Sequence, residues 1–133
     1  MGEVLFRGKR KAGDIWLYGD LRQWSKTRKG ICDSSFGGTS EVYPETVGQF
    51  TGLPDKYGKQ IFVGDIVEPV LTGGTHKGFS WGKQVVVFDR GAFCLKSRRG
   101  EITPMCNYAA NVQFKVWGNI HDNPELMEVH YAD

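Results

Sequence analysis

The chain has 133 residues, a formal net charge of +2 and 13% aromatic side chains, which suits one domain or two small subdomains and excludes a disordered tail. No apolar run reaches the roughly 20 residues of a membrane helix, and Met1-Gly2-Glu3 leads into Arg7 and Lys9 with no apolar stretch, so neither a membrane span nor a signal peptide is expected. Three cysteines without CxxC spacing argue against a disulfide framework and for reduced thiols in a cytoplasmic protein.

Eighteen glycines and many aromatics call for short strands and many turns. Residues 4–11 read as a strand that turns at Ala12-Gly13-Asp14. Residues 15–24 return as its partner, with Trp16, Tyr18 and Leu21 competing for the buried face. Residues 26–40 are polar and glycine-rich and read as a mobile loop, with at most a short strand at Gly30-Ile31-Cys32. A strand follows at Thr46–Thr51, then a turn at Pro54-Asp55-Lys56-Tyr57-Gly58. Residues 60–71 form a short strand, a Gly64-Asp65 corner and a second strand. Residues 72–82 are a second glycine-rich loop holding His76, Phe79 and Trp81.

Lys83–Asp89 reads as a strand around a continuous apolar run, three Val and a Phe at 85–88, the pattern of a strand covered on both faces. Asp89-Arg90-Gly91 and Arg98-Arg99-Gly100 are turns around a strand at 92–96. Asn111–Asn119 alternates, with Val112, Phe114 and Val116 on one face. Asp122 or Asn123 then caps a short C-terminal helix, with Pro124 at its first position and Glu125 at its positive end. The total is about seven to nine short strands, the spacing of a small barrel or sandwich.

One pattern occurs twice. Residues 11–21 align without a gap on residues 56–66, matching Lys, Gly, Gly and Asp and four apolar positions. Either a duplication or a shared turn geometry accounts for it, because Gly and Asp are what tight turns select. Both copies then act as corners. Substitutions at Gly19 and Asp20 should mirror those at Gly64 and Asp65, more mildly. A Gly-Asp-apolar-Val step after a turn, as in Gly64-Asp65-Ile66-Val67, is typical of SH3-like barrels.

Three blocks together carry a wider resemblance: Phe6–Arg10 leading to Trp16–Leu21; Thr46–Leu53 followed by Asp55–Lys59 and Ile61–Val67; and Trp117–Leu126. They resemble the YopX family of phage and prophage proteins. The resemblance implies an all-β protein with a C-terminal SH3-like barrel, and no catalytic residues carry over, since the family has no assigned activity. The expected division is a basic, aromatic-rich β subdomain at 1–52, and at 53–133 an SH3-like β-barrel subdomain ending in a short acidic helix. The expected function is that of a non-enzymatic phage or prophage accessory protein in the cytoplasm of a bacterial host cell. It would act as a homo-oligomeric module that binds a phage or host protein.

Charge placement bears on partners. Residues 1–30 are rich in Lys and Arg, whereas from Asn119 onward there is neither, and Asp122, Glu125, Glu128 and Asp133 are acidic. Opposite ends of this kind suit contact between copies. The alternative function is sequence-tolerant binding of single-stranded nucleic acid. Its candidate residues are Arg7, Lys9, Arg10, Lys11, Lys26, Arg28, Lys29 and Trp24, because cations beside stacking platforms track a phosphate backbone. Asp20 and Asp65 could pair on a metal, but capping their own turns explains them equally. Cys94 reads as a core residue. Cys32 and Cys106 with His76, His121 and His130 lack ligand spacing. No nucleophile motif, P-loop or dinucleotide fingerprint is present, so no catalytic, cofactor or metal residue is assigned.

Overall fold

The computed structural model describes residues 4–128. The described chain is all-β: eleven strands, four single turns of 3-10 helix and no α-helix. It divides into two compact units, Met1–Gly52 and Leu53–Asp133.

In the first unit, β1 (Phe6–Lys9), β2 (Trp16–Gln23), β3 (Lys29–Asp33), β4 (Gly38–Val42) and β5 (Gly48–Pro54, running past the unit's end) lie in the order β4-β3-β2-β1-β5. All neighbours are antiparallel. The core is Leu17, Ile31 and Val42, each fully buried, with Phe6, Ile15, Leu21 and Val47 against it. The buried parity of β2 is therefore Leu17 and Leu21. Trp16 and Tyr18 fall on the opposite face, because side chains alternate across a strand. Residues 26–40 are also not a loop: they hold β3, a 3-10 turn at Ser34–Phe36 and the start of β4. The polar composition hid a hairpin whose single apolar anchor per strand, Ile31 or Val42, is enough to set its register. The sheet curls until the end of β1 reaches β4. Arg10 bridges Val42, Lys11 N–H donates to Glu41 O (3.1 Å) and Tyr43 N–H to Lys9 O (2.9 Å).

The second unit holds β6 (Gln60–Phe62), β7 (Asp65–Leu71), β8 (Gln84–Asp89), β9 (Ala92–Lys96), β10 (Ile102–Pro104) and β11 (Val112–Asn119). Its five-stranded antiparallel sheet runs β10-β9-β8-β7-β11. Ile61, Val67, Val86, Leu95 and Met105 form the core, with Phe114 and Val116 packed on it. The sheet is open. No ladder joins its outer strands β10 and β11, so a closed barrel is replaced by a sheet with two edges. One edge is short and ends in Pro104. The other is occupied where Lys56 N–H donates to Phe114 O (2.8 Å) and Asp55 Oδ2 accepts from Val116 N–H (3.3 Å), which blunts it against adventitious pairing. β8 is not covered on both faces: Val86 is fully buried, but Val85 and Val87 are half-buried and Phe88 is 58% exposed.

The expected C-terminal helix is a single 3-10 turn, Pro124–Met127. Pro124 does open it, but the Asn123 side chain makes no cap. It accepts from Asn119 N–H instead (3.2 Å), closing the corner after β11. Without a cap and with so few residues, a helix has nothing to offset its nucleation cost.

The two Gly-Asp steps are not equivalent. Gly64 has φ +97°, and Asp65, 1% exposed, accepts from Phe62 N–H (2.8 Å) across a tight corner. Gly19 lies inside the extended β2, paired with Phe6. It is glycine because a Cβ there would overlap the Cys32 carbonyl oxygen. Asp20 is exposed. The same two letters thus serve a corner in one unit and a close strand approach in the other. Gly64→Val and Gly19→Val should both be severely destabilising. Asp65→Ala should cost about 1–3 kcal/mol, since it strands a buried donor, and Asp20→Ala less than about 0.5 kcal/mol. Urea denaturation of the four variants measures this ranking.

The β8–β9 hairpin has a two-residue loop, Arg90 (φ +52°) and Gly91 (φ +81°). Both positions require the left-handed region that a two-residue hairpin favours, and arginine is a poor occupant. Arg90→Asn should stabilise the protein by about 0.5–1 kcal/mol, read as a raised melting temperature.

Candidate functional site: an aromatic groove in the C-terminal unit

A broad concavity belongs to the second unit. The end of β7 (Leu71), the loop after it (His76, Phe79, Trp81), the segment between β10 and β11 (Asn107, Tyr108, Ala109) and Val112 line a groove of about 740 Å³. The loop is folded, although its sequence is rich in Gly, Thr and Ser. Gly78 N–H donates to Leu71 O (2.8 Å), Leu71 N–H to Phe79 O (2.9 Å) and Trp81 N–H to Pro69 O (3.1 Å). Gly74 and Gly78, at φ +83° and +92°, let it reverse. Thr72 ties its root to Asn111 O through both its N–H and its hydroxyl.

This folding lines up four rings. Phe79 meets Trp81 at 4.9 Å, Trp81 meets Tyr108 at 5.5 Å and Tyr108 meets Phe114 at 5.6 Å, each nearly perpendicular. Edge-to-face pairs of this kind are favourable and fix ring orientation. The row runs from the core outward, ending at Phe79 (53% exposed) and Trp81 (42%). The Gln84 amide donates to both Trp81 O and the Tyr108 hydroxyl, each at 3.4 Å. Burial pushes the Tyr108 phenol up from its ordinary value.

On the face of the β7–β11 pair opposite Val112 and Leu71, Trp117 is the extra residue where the register shifts. Its indole N–H donates to Glu68 (2.9 Å), which also accepts from Ser80 (2.5 Å). The Lys115 and Lys83 ammonium groups sit 3.9 and 4.4 Å from the ring centre. The Ser80 bond first, and then the indole and the two ammonium groups, hold the Glu68 carboxyl below its usual range.

The cations singled out in the first thirty residues are dispersed. Arg7 is 4% exposed, with its guanidinium 4.8 Å from the Trp16 ring. Arg10 donates to Ala12 O (2.6 Å) and lies 5.5 Å from Phe36. Lys11 and Arg28 both pair with Glu41 at 3.0 Å, and Arg28 also lies 5.5 Å from Trp24, which is 52% exposed. Lys9 and Lys29 are half-buried, and Lys26 is exposed. Of the cysteines Cys94 is buried, as its strand position implies; Cys32 is half-buried and Cys106 exposed. Among the described residues no three His, Cys, Asp or Glu gather as a metal ion would need; His130 lies outside them.

The model of the family described as YopX protein matches residues 5–128, nearly the whole chain. The chain belongs to the YopX family. The chain is similar in structure to one solved as protein EF1440 from Enterococcus faecalis, with a TM-score of 0.57 and 21% identity over 96% of this chain and 100% of that one. At that identity the likeness concerns the fold. A search of the curated proteins finds no match.

The glycine-rich loop at 72–82 holds His76, Phe79 and Trp81, but their partner Tyr108 lies 27 residues or more away. Nothing local links them.

The Glu41 pairing has a pH consequence. Bonding to Arg28 and Lys11 lowers its carboxyl from the ordinary 4.5 to about 2. A depressed carboxyl stabilises the fold above its unfolded pKa and ceases to as pH falls through the folded one. The parent should therefore be more stable than Glu41→Gln above about pH 4.5, and the two should converge towards pH 2. The difference will be small and weakened by salt, since the pair is exposed. Thermal melts of both proteins across this range test it.

Proposed function

We propose that this YopX-family protein works by binding a protein partner, and that the aromatic groove of its C-terminal unit is the contact site. The observation that carries this reading is the row of interlocked rings opening to solvent at Phe79 and Trp81. Aromatic side chains held rigid at a surface lose little entropy on binding and dominate recognition energetics. The groove has the size and the mixed lining of a recognition site, with aliphatic walls and a few polar groups, Asn107, Thr103 and Tyr108. No helix of the described residues is long and apolar enough to cross a membrane; a cytoplasmic accessory protein of phage or prophage origin is our reading of the family resemblance.

The order β10-β9-β8-β7-β11, with a 3-10 turn at Met105–Asn107 before the last strand, supports an SH3-like ancestry for the second unit. Homo-oligomerisation fits the uneven charge and such exposed rings as Tyr57 and Phe79; light scattering on the purified protein measures it. Binding of single-stranded nucleic acid through residues 7–29 draws support from the exposed Trp24 and Lys26, whereas Lys11 and Arg28 share one carboxylate.

The experiment is an NMR titration with short peptides containing Tyr and Leu. Amide signals of residues 71–81 and 103–112 should move first. Phe79→Ala should remove the effect while leaving the folded spectrum intact. Shifts confined to other surfaces would refute the assignment.

A further inference from the structure

We infer that the groove takes an uncharged, extended protein segment containing proline, and that the Tyr108 hydroxyl donates to one of its carbonyls; this rests on the groove being the contact site. Among the described residues no Lys, Arg, Asp or Glu lines the groove. A charged side chain of a ligand would lie on this lining without a counter-charge, which is costly. A nucleic-acid strand carries one phosphate per nucleotide, and its affinity rests on cations that this lining does not offer.

The hydrogen-bonding groups of the walls narrow the ligand further. The main-chain carbonyls of Leu71, His76, Phe79 and Ala109 already accept from N–H groups of the fold, and Trp81 O accepts from the Gln84 amide. The donors are differently placed. A carbonyl can only accept, so the bond to Trp81 O fixes the Gln84 nitrogen on that side, and the Tyr108 oxygen accepts from the same nitrogen. The phenol proton is then left to be given to a ligand, and burial, which pushes the phenol pKa up, keeps that proton in place. The Trp81 indole N–H likewise bonds to no described residue. Walls with open donors and engaged acceptors complement, in partial charge, a ligand that brings acceptors and no N–H of its own. A buried N–H without an acceptor would cost its desolvation. The amide that joins a residue to proline is such a group, a carbonyl with no N–H. Proline also holds a segment extended beforehand, so little order is lost when it meets the fixed row of rings.

Three uncharged peptides of one length with blocked ends decide it: proline alternating with Leu and Tyr, and the same sequence with alanine or with N-methylalanine in place of proline. Each is titrated into the whole protein while groove signals are followed by NMR. The proline peptide should bind about fivefold or more tightly than the alanine peptide. The N-methylalanine peptide, whose amides also lack an N–H, should bind more tightly than the alanine one. Raising the salt should leave these affinities unchanged, since no ion pair forms. Tyr108→Phe keeps the ring and removes the hydroxyl; it should weaken the proline peptide about fivefold while the folded spectrum persists. The peptide series needs only the parent protein, so it decides the selection whether or not that variant folds. Equal binding of proline and alanine peptides in the groove overturns the selection and leaves the groove as a contact site. An N-methylalanine peptide no better than the alanine one overturns its hydrogen-bonding basis, and undiminished binding to folded Tyr108→Phe overturns the role of the hydroxyl. No shift at the groove with any peptide removes both the selection and the contact site. Displacement of the proline peptide by an oligothymidylate, with the same signals moving, overturns the polypeptide assignment in favour of nucleic acid.

Discussion

A chain of short strands without α-helices has one recurring problem: the backbone N–H groups at its corners have no ladder partner. This protein meets it with short side chains that reach back to the main chain. Asp33 accepts from Tyr18 and Ser35, Asp55 from Tyr57, Lys59 and Val116, and Asp65 from Phe62. Asn119 accepts from His121 and Asp122. Three of these four are less than 9% exposed and the fourth, Asn119, is at 9%, so each replaces water where water is excluded. Burying a carboxylate is costly unless several donors converge on it. The bond donated by Tyr18 N–H, with that from Ser35, holds the Asp33 carboxyl below its ordinary value for that reason.

These corners decide what the sheets can carry. Asp55 does two tasks: it closes its own turn and occupies the outer edge of β11. With that edge occupied, β11 is held against β7, and its inner face delivers Phe114 and Val112 to the floor beside the groove. The loop after β7 then folds back on Leu71 and Pro69, and the ring row from Phe114 to Phe79 follows from that placement. The groove is thus an outward continuation of the second core: Tyr108 packs on that core and also lines the opening.

The N-terminal unit is organised differently. Its core is only Leu17, Ile31 and Val42 with a partly buried border, and its cations are used internally. Arg7 is buried against Trp16, and Glu41 gathers Lys11 and Arg28. Positive charge counted along the chain overstates the charge offered to a partner, because pairing and burial consume part of it. In the C-terminal unit Lys83 and Lys115 lie over the Trp117 ring and help to lower the Glu68 carboxyl.

By itself the sequence determined the all-β class, the family and most turns. Each of these depends on local chemistry: Gly and Asp at corners, alternation in 112–116, Pro124 at the start of the last turn. It also marked Cys94 as interior. Tertiary structure alone decided the face of β2, the hairpin hidden in residues 26–40, the open second sheet and the unequal roles of Gly19 and Gly64. Each of these turns on which strand lies next door. Gly19 is required by a carbonyl at Cys32, whereas Gly64 is required by its own φ. The groove belongs to the same class, since Trp81 and Tyr108 meet only because the loop folds back on β7 and the 3-10 turn before β11 carries Tyr108 across. Contacts between distant segments leave no spacing to read.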